Sequence, residues 1–271
     1  MTINAEIQMP DTVVLVTGGA RGIGAGIARE FLNAGSTVVV CGRTVPGEST
    51  LPRAAGRGAR FIQCDVRRPE SVDLLFTRIA SEFGRLDVLV NNAGGSPPAD
   101  LANSSPRLIE RLIQLNLTAP LLCAQSANRL MQQTEEGGSI VNIASVSGVR
   151  PSPGTTVYGA AKAGLLSATT SLAMEWGPKV RVNAVIAGLV ATESSAEHYG
   201  GPEGVARIGA MLPMKRMATP EDIARACLFL SSPLASYVSG AHLAVHGGGE
   251  RPSFLYLAQS AETNAHVRSA P

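Results

Sequence analysis

The 271-residue sequence predicts a doubly wound α/β fold, a seven-stranded and mostly parallel sheet with helices on both faces. Two observations carry this. Short β-branched runs alternate with longer helical stretches along the chain, as βαβ units require. A glycine-rich turn, Thr17-Gly-Gly-Ala-Arg-Gly-Ile-Gly24, directly follows the first of those runs and opens a helix.

Taken in order, Val13-Val14-Leu15-Val16 reads as a buried strand, followed by a helix over 22–34. Strands are expected at 37–41 and 60–64, and the glycines and prolines between them (Pro46, Gly47, Pro52, Gly56, Gly58) predict a loop over 44–59. Pro69 precedes an amphipathic helix over 70–83. A strand at 86–90 leads into one long helix over 106–133, then a strand at 139–144. A second long helix covers 155–176 and stops at Gly177-Pro178. A strand at 180–186, a helix at 220–231 and a last strand at 241–245 complete the set. The reading is one domain with its core at about 10–250, a lid over 193–215 that includes a short helix to Met214, and a tail over 251–271.

Composition narrows the function. Hydrophobic residues make up 45% and charged residues 16%, which suits a well-packed globule. A net charge of +2 without a basic run argues against nucleic acid as partner. No stretch approaches 18 apolar residues, and the first dozen residues lack a basic-then-apolar leader, so a cytoplasmic protein without membrane partner is expected. Cys41, Cys64, Cys123 and Cys227 are scattered and the four His isolated, so no metal is expected.

Three features carry chemistry. In the glycine turn, Gly18 permits the bend, Gly22 lets a pyrophosphate approach the backbone, and Gly24 lets helix and strand pack closely; the free N–H groups of the helix start, from Gly19 to Ile23, face the phosphates. The second strand ends Cys41-Gly42-Arg43 with no acid to receive a ribose 2′-hydroxyl. Arg43, with Arg21, suits a 2′-phosphate, and NADP(H) is preferred over NAD(H). Third, Tyr158 and Lys162 lie four apart on a helix and share a face. A nearby ammonium should lower the phenol pKa and make the pair a proton donor and acceptor near neutral pH.

These residues, with Asp65-Val66, Asn91-Asn92-Ala93-Gly94, Asn116, Ser145 lying 13 residues before Tyr158, and Arg181-Val182-Asn183, resemble the short-chain dehydrogenase/reductase family over about residues 10–250. The resemblance implies Tyr158 as general acid/base and Lys162 as the group that lowers its pKa and bonds the nicotinamide ribose. It implies Ser145 as a hydrogen-bond partner of the substrate oxygen and Asn116, within a long helix, as the holder of a water linking Lys162 to solvent. Asp65 would accept from the adenine amino group and Val66 would supply its backbone there. Thr17, Asn92, Ala93 and Gly94 would border the cofactor, and Gly188, Val190 and Thr192 the nicotinamide. A homotetramer or homodimer is also implied. Two departures stand out: Ala187-Gly188 replaces the usual Pro-Gly, and His246, read as structural or interfacial, stands where an Asp is common.

The substrate side reads as moderately apolar, without a cationic cluster, lined by Ser96, Ser147, Val149, Gly188, Leu189 and Met211; His198 and Tyr199 are candidates to close the pocket, with a mobile surface role in the lid favoured. Arg53, Arg57 and Arg60 are expected to bias the rim toward anionic cofactors. The expected reaction is a metal-free, NADP(H)-dependent interconversion of a small-molecule ketone and alcohol. An NAD(H)-dependent hydroxysteroid-type or 3-hydroxyacyl dehydrogenase is the alternative, and a non-catalytic dinucleotide sensor the alternative from another class, which the Asn116, Ser145, Tyr158 and Lys162 set opposes. An enoyl reductase is disfavoured by the Tyr–Lys spacing, and a sugar-nucleotide epimerase by the glycine spacing.

Overall fold

In the computed structural model, seven parallel strands form one sheet in the order β5-β2-β1-β6-β7-β8-β9. The structure describes residues 7–193, 199–250 and 252. The expectations for His198 and the tail at 251–271 therefore lie outside the described residues, apart from Pro252.

The strands are β1 (Val13–Thr17), β2 (Thr37–Gly42), β5 (Arg60–Gln63), β6 (Val88–Asn91), β7 (Gly138–Ser145), β8 (Val180–Ala187) and β9 (His242–Val245). Period-two alternation sorts their side chains to two faces. Val14, Val16, Val38, Val40, Val88 and Val90 pack with Ile27 and Phe31 of α1 (Gly22–Asn33) and Ile223 and Cys227 of α7 (Pro220–Ser231). Val13, Leu15, Val39, Cys41 and Leu89 pack with Leu75 and Ile79 of α2 (Pro69–Phe83) and with Cys123 and Ala127 of α4 (Ala119–Met131). Each such fully buried Val, Leu, Ile or Phe contributes about 1.5–3 kcal/mol of transfer free energy. Among the described residues, no helix is long and apolar enough to cross a membrane.

Three expectations need correction. The predicted helix over 106–133 is α3 (Pro106–Ile113), a π turn (Gln114–Thr118) and then α4. Pro120 has no N–H to give the carbonyl of Asn116, so the regular ladder cannot run through. The loop over 44–59 contains a small antiparallel hairpin, β3 (Arg53–Ala54) with β4 (Arg57–Gly58). Its two central residues, Ala55 and Gly56, have φ of 48° and 72°, the signs a type I′ turn needs. Arg57 and Arg60 do not serve a cofactor rim. Arg57 donates to the carbonyl of Gly35 (2.8 Å), while Arg60 pairs with Glu82 (2.8 Å) and lies over the Phe83 ring (5.2 Å). Arg60 begins β5, at the end of the sheet opposite the carboxyl termini of the strands.

The carboxyl ends of β1, β6, β7 and β8 lead into the glycine turn, the Asn91–Gly95 segment, α5 (Thr156–Trp176) and the 188–192 segment. α6 (Gly201–Met211) follows in the lid, and Thr219 and Asp222 then form a capping box that starts α7.

Candidate active site

The glycine turn is shaped by contacts that exclude side chains. Gly18 and Gly22 have φ of 64° and 52°, and a Cβ at Gly24 would meet the Gly18 carbonyl oxygen and, at 2.5 Å, Asn92 Nδ2. At Gly22 the space is open, with Thr192 Cγ2 nearest at 3.7 Å from an added Cβ. No side chain caps α1 and its first turn holds no acid, so its leading N–H groups are available to an anion. The open, uncapped turn fits the pyrophosphate of a dinucleotide.

Thr17 and Asn92 staple this turn to the end of β6. Thr17 Oγ1 accepts from the N–H of Asn92 and of Ala93 (3.0 Å each), and Asn92 Nδ2 donates to the carbonyls of Thr17 (2.9 Å) and Gly18 (3.3 Å). Their polar groups are thus committed to shaping the turn. Asn91, deeper in the sheet, donates to Pro120 O (3.0 Å) and Asn142 Oδ1 (2.9 Å).

Beyond the end of β2, Gln63 Nε2 fixes the Arg43 carbonyl (2.8 Å) and the Arg43 side chain is exposed. Neither Arg43 nor Arg21 has an ion pair or side-chain hydrogen bond among the described residues. Asp65 is engaged more heavily than the sequence suggests. Arg67 Nε and N–H donate to Oδ1 (2.9 and 3.1 Å) and Nη2 donates to Oδ2 (2.6 Å). Those bonds hold the Asp65 pKa below its ordinary value, with the charges of Arg67 and Arg43 assisting. Of roughly four lone-pair positions on a carboxylate, one on Oδ2 is left open to a further donor. Val66 is buried just after it.

The proton-handling candidates meet where α5 crosses the ends of β7 and the π turn. Ser145 ends β7 and its Oγ accepts from Ser147 N–H (3.2 Å). It also lies near enough to Tyr158 to lower the Tyr158 pKa. Lys162 is 3% exposed, donates from Nζ to the Ile143 carbonyl (2.8 Å), and lies 5.6 Å from the Tyr158 ring centre. Asn116 is fully buried in the π turn. It clamps Gly95 by accepting from its N–H (2.9 Å) and donating to its carbonyl (3.0 Å). A Cβ on Gly94 would meet Asn116 Oδ1 at 2.8 Å and Lys162 Nζ at 3.3 Å, so Gly94 must be bare for these two groups to flank it.

The expected direction of the Tyr158 shift is reversed here. Burial pushes the Tyr158 pKa up; the Ser145 hydroxyl lowers it less, and Tyr199 raises it further. Burial alone lowers Lys162 to about 8. Lys162 sits out of water and Tyr158 is partly buried, and desolvation opposes charge on either. For Lys162 the unfolded chain holds its proton more tightly between about 8 and 10.5, so folding stability should rise with pH across that window. The difference in melting temperature between wild type and Lys162→Met, followed from pH 7 to 10.5, should move in favour of wild type above pH 8. A flat difference would contradict it.

The remaining candidates scatter around this centre. Ser147 accepts from Ser152 (3.0 Å), Val149 is exposed, and Ser96 follows the clamped Gly95 and turns its hydroxyl to Pro97 O (2.8 Å). Leu189, Val190 and Thr192 lie in the segment tied to Ala218 by the bonds Ala218 N–H to Leu189 O (2.9 Å) and Ala191 N–H to Ala218 O (2.8 Å). Met211 is half exposed at the end of α6. Gly188 must be bare for a local reason: a Cβ there would lie 2.7 Å from the Cα and Cβ of His246. His246 is thereby a packing residue at the end of β9, its buried Nδ1 without a hydrogen-bond partner among the described residues.

The sequence reading misses Arg150 and favours a surface role for Tyr199 that its surroundings do not support. Arg150, five positions after Ser145, pairs through Nη2 and Nε with Glu250 (2.6 and 2.5 Å). Tyr199 is half-buried, its pKa raised by burial and by the Glu250 charge and lowered by Arg150. It raises the Tyr158 pKa in turn and is not a plain surface residue. Among the described residues, no cluster of three or more His, Cys, Asp or Glu could hold a metal ion.

The family model described as "Enoyl-(Acyl carrier protein) reductase" matches residues 18–250. A cis-4-hydroxycyclohexanecarboxylate dehydrogenase of Sinomonas cyclohexanicum is 41% identical over 244 residues, covering 88% of this chain and 96% of its own. A 3-oxoacyl-[acyl-carrier-protein] reductase of Aquifex aeolicus is 36% identical, covering 90% and 99%. The ligand-free aldohexose dehydrogenase of Thermoplasma acidophilum superposes with a TM-score of 0.81 at 32% identity, covering 88% of this chain and 94% of that one.

Proposed function

Because the chain belongs to the short-chain dehydrogenase/reductase family of NAD(P)-using oxidoreductases, we propose that it interconverts a ketone and a secondary alcohol with NADP(H), using Tyr158 as general acid/base. The single observation behind this reading is the convergence of Ser145, Tyr158 and buried Lys162 at the strand ends, beside an open glycine turn.

The uncapped start of α1 and the bare backbone at Gly22 would hold the pyrophosphate, with Arg43 and Arg21 on the 2′-phosphate. When bound, the dinucleotide supplies or accepts the hydride. Ser145 donates a hydrogen bond to the substrate oxygen and so stabilises charge developing there. In reduction, Tyr158 gives its proton to that oxygen; in oxidation its phenolate takes the alcohol proton. Lys162, in reach of the ring, lowers the cost of that phenolate when charged. A phenol held protonated by burial is set for donation, which favours the reductive direction near neutral pH.

The relatives named above act on a cyclic hydroxy acid and on a 3-oxoacyl thioester. A cyclic ketone, the oxidised counterpart of the first relative's substrate, is the class favoured here. Enoyl reduction is the second reading, favoured by the description of the matching family. Incubation with cyclic and 3-oxoacyl ketones, their alcohols and a 2-enoyl thioester, with each reduced or oxidised nicotinamide cofactor, separates the readings by absorbance change. Turnover of the enoyl thioester alone would reject the carbonyl reading.

The cofactor preference has its own test. Arg43→Ala should raise KM for NADPH about 10- to 100-fold, the loss of one charge-assisted bond. KM for NADH should move less than about twofold. Equal effects on both cofactors would remove Arg43 from the 2′-phosphate.

A further inference from the structure

We propose that Arg150 is the specificity-determining residue for substrates carrying an anionic group, and that Glu250 occupies its guanidinium when no such substrate is present. This rests on the ketone–alcohol reading above and names the substrate class within it.

The placement comes first. Arg150 lies in the segment joining β7 to α5, so it is tethered between Ser145 and Tyr158. Its N–H bonds the carbonyl of Val146 (3.1 Å), the residue after Ser145. The turn it follows is seated on α5, since a Cβ at Gly148 would meet the Lys162 backbone carbon at 2.9 Å. The Arg150 side chain therefore starts from a fixed base between Ser145 and Tyr158, and its Nη1 also donates to the Pro151 carbonyl (2.8 Å). Tyr199 feels the charges of both Arg150 and Glu250 and itself acts on Tyr158, which links the ion pair to the same centre.

The pair's chemistry comes next. Glu250 presents two oxygens to Nε and Nη2, the fork geometry that any carboxylate would adopt. Both side chains keep about a third of their surface in solvent, 38% and 34%, so the pair can open without exposing a buried charge. Glu250 follows Gly247-Gly248-Gly249, three residues with φ of 63°, 91° and 82°, a conformation that favours glycine and brings the carboxylate to Arg150. Exchange of Glu250 for a substrate carboxylate conserves the ion pair and releases Glu250 to water. The guanidinium then fixes the far end of the substrate while its carbonyl meets Ser145 and Tyr158.

A clasp and a receptor respond differently to mutation. If the pair only holds the two segments together, Arg150→Gln and Glu250→Gln act alike. If Arg150 receives an anion and Glu250 competes for it, they act oppositely. The test is steady-state reduction of a cyclohexanone bearing a ring carboxylate and of the same ring bearing a carboxamide. Wild type should favour the acid. Arg150→Gln should lower the acid-over-amide ratio of kcat/KM at least tenfold, through KM, whereas Glu250→Gln should raise it about two- to fivefold. Changes in the same direction, or an unchanged ratio in Arg150→Gln, would overturn the proposal while leaving the ketone–alcohol reading intact. Failure of every ketone and alcohol in both cofactors would overturn that reading itself. Thermal melting of both variants, and Arg150→Lys as a folded variant that keeps the charge but loses the fork, guard against a folding artefact.

Discussion

Replacing Tyr158 by phenylalanine is expected to lower kcat by about 10²- to 10⁴-fold, the usual worth of a positioned general acid. Dinucleotide affinity should stay within about twofold. The substitution removes one oxygen from a side chain whose ring remains packed against Lys162 Nζ, 5.6 Å from its centre, so little but the proton donor is lost. The direction of pH dependence follows from the environment. Burial raises the Tyr158 pKa, so the protonated phenol needed for reduction persists through neutral pH. The phenolate needed for oxidation accumulates only as pH rises. Oxidation by the wild type should therefore speed up toward alkaline pH, and Tyr158→Phe should lose that limb. Retention of more than a tenth of the wild-type kcat, or an unchanged alkaline limb, would mean that another group moves the proton.

That pH argument also marks where sequence reasoning stops. A spacing of four puts Tyr158 and Lys162 on one helical face, and the structure agrees. The sign of the pKa shift depends instead on how much water reaches the pair, which no local pattern encodes. Elements whose cause is local were readable: β-branched runs became strands, and the glycine turn fell between β1 and α1. The π turn at Gln114–Thr118 had a visible cause in Pro120, yet the apolar periodicity on either side masks it, because a π turn shifts the register by one residue without changing which face is buried. The short hairpin Arg53–Gly58 follows from the Ala55-Gly56 turn, a signal swamped by the surrounding glycines and prolines. The Arg150–Glu250 pair spans 100 positions. Neither residue stands in a motif, and only the meeting of the β7–α5 and post-β9 segments creates the contact. The Arg67 fork on Asp65 was closer in sequence but equally silent, since an arginine two residues after an aspartate has no required geometry.

The second large effect is expected at Gly24. Of the glycines in the turn, this one has the least room. An added methyl would meet the Gly18 carbonyl oxygen, Asn92 Nδ2 at 2.5 Å and Gly19 Cα at 2.9 Å. Two of those three atoms belong to backbone that cannot rotate away. The third belongs to a side chain whose bonds to Thr17 and Gly18 hold the turn against β6. Relief must come from moving the start of α1 off the turn, and that disturbs the packing of Gly26 on Pro220 further along the helix, where an added Cβ would already lie 2.5 Å from the proline Cβ. Gly24→Ala should thus cost about 1–3 kcal/mol of stability, the range for overpacking a tight core, or several degrees of melting temperature. It should also cost more than tenfold in dinucleotide affinity, because the helix N–H groups and the bare backbone at Gly22 would no longer converge on one pyrophosphate. Gly47→Ala supplies the contrast: nothing lies within 4 Å of its added Cβ, so melting and binding should match wild type. Thermal unfolding with and without saturating NADPH reads both quantities together. If Gly24→Ala melts with the wild type and gains the same stabilisation from the dinucleotide, the close approach of turn and helix is not what builds the phosphate site.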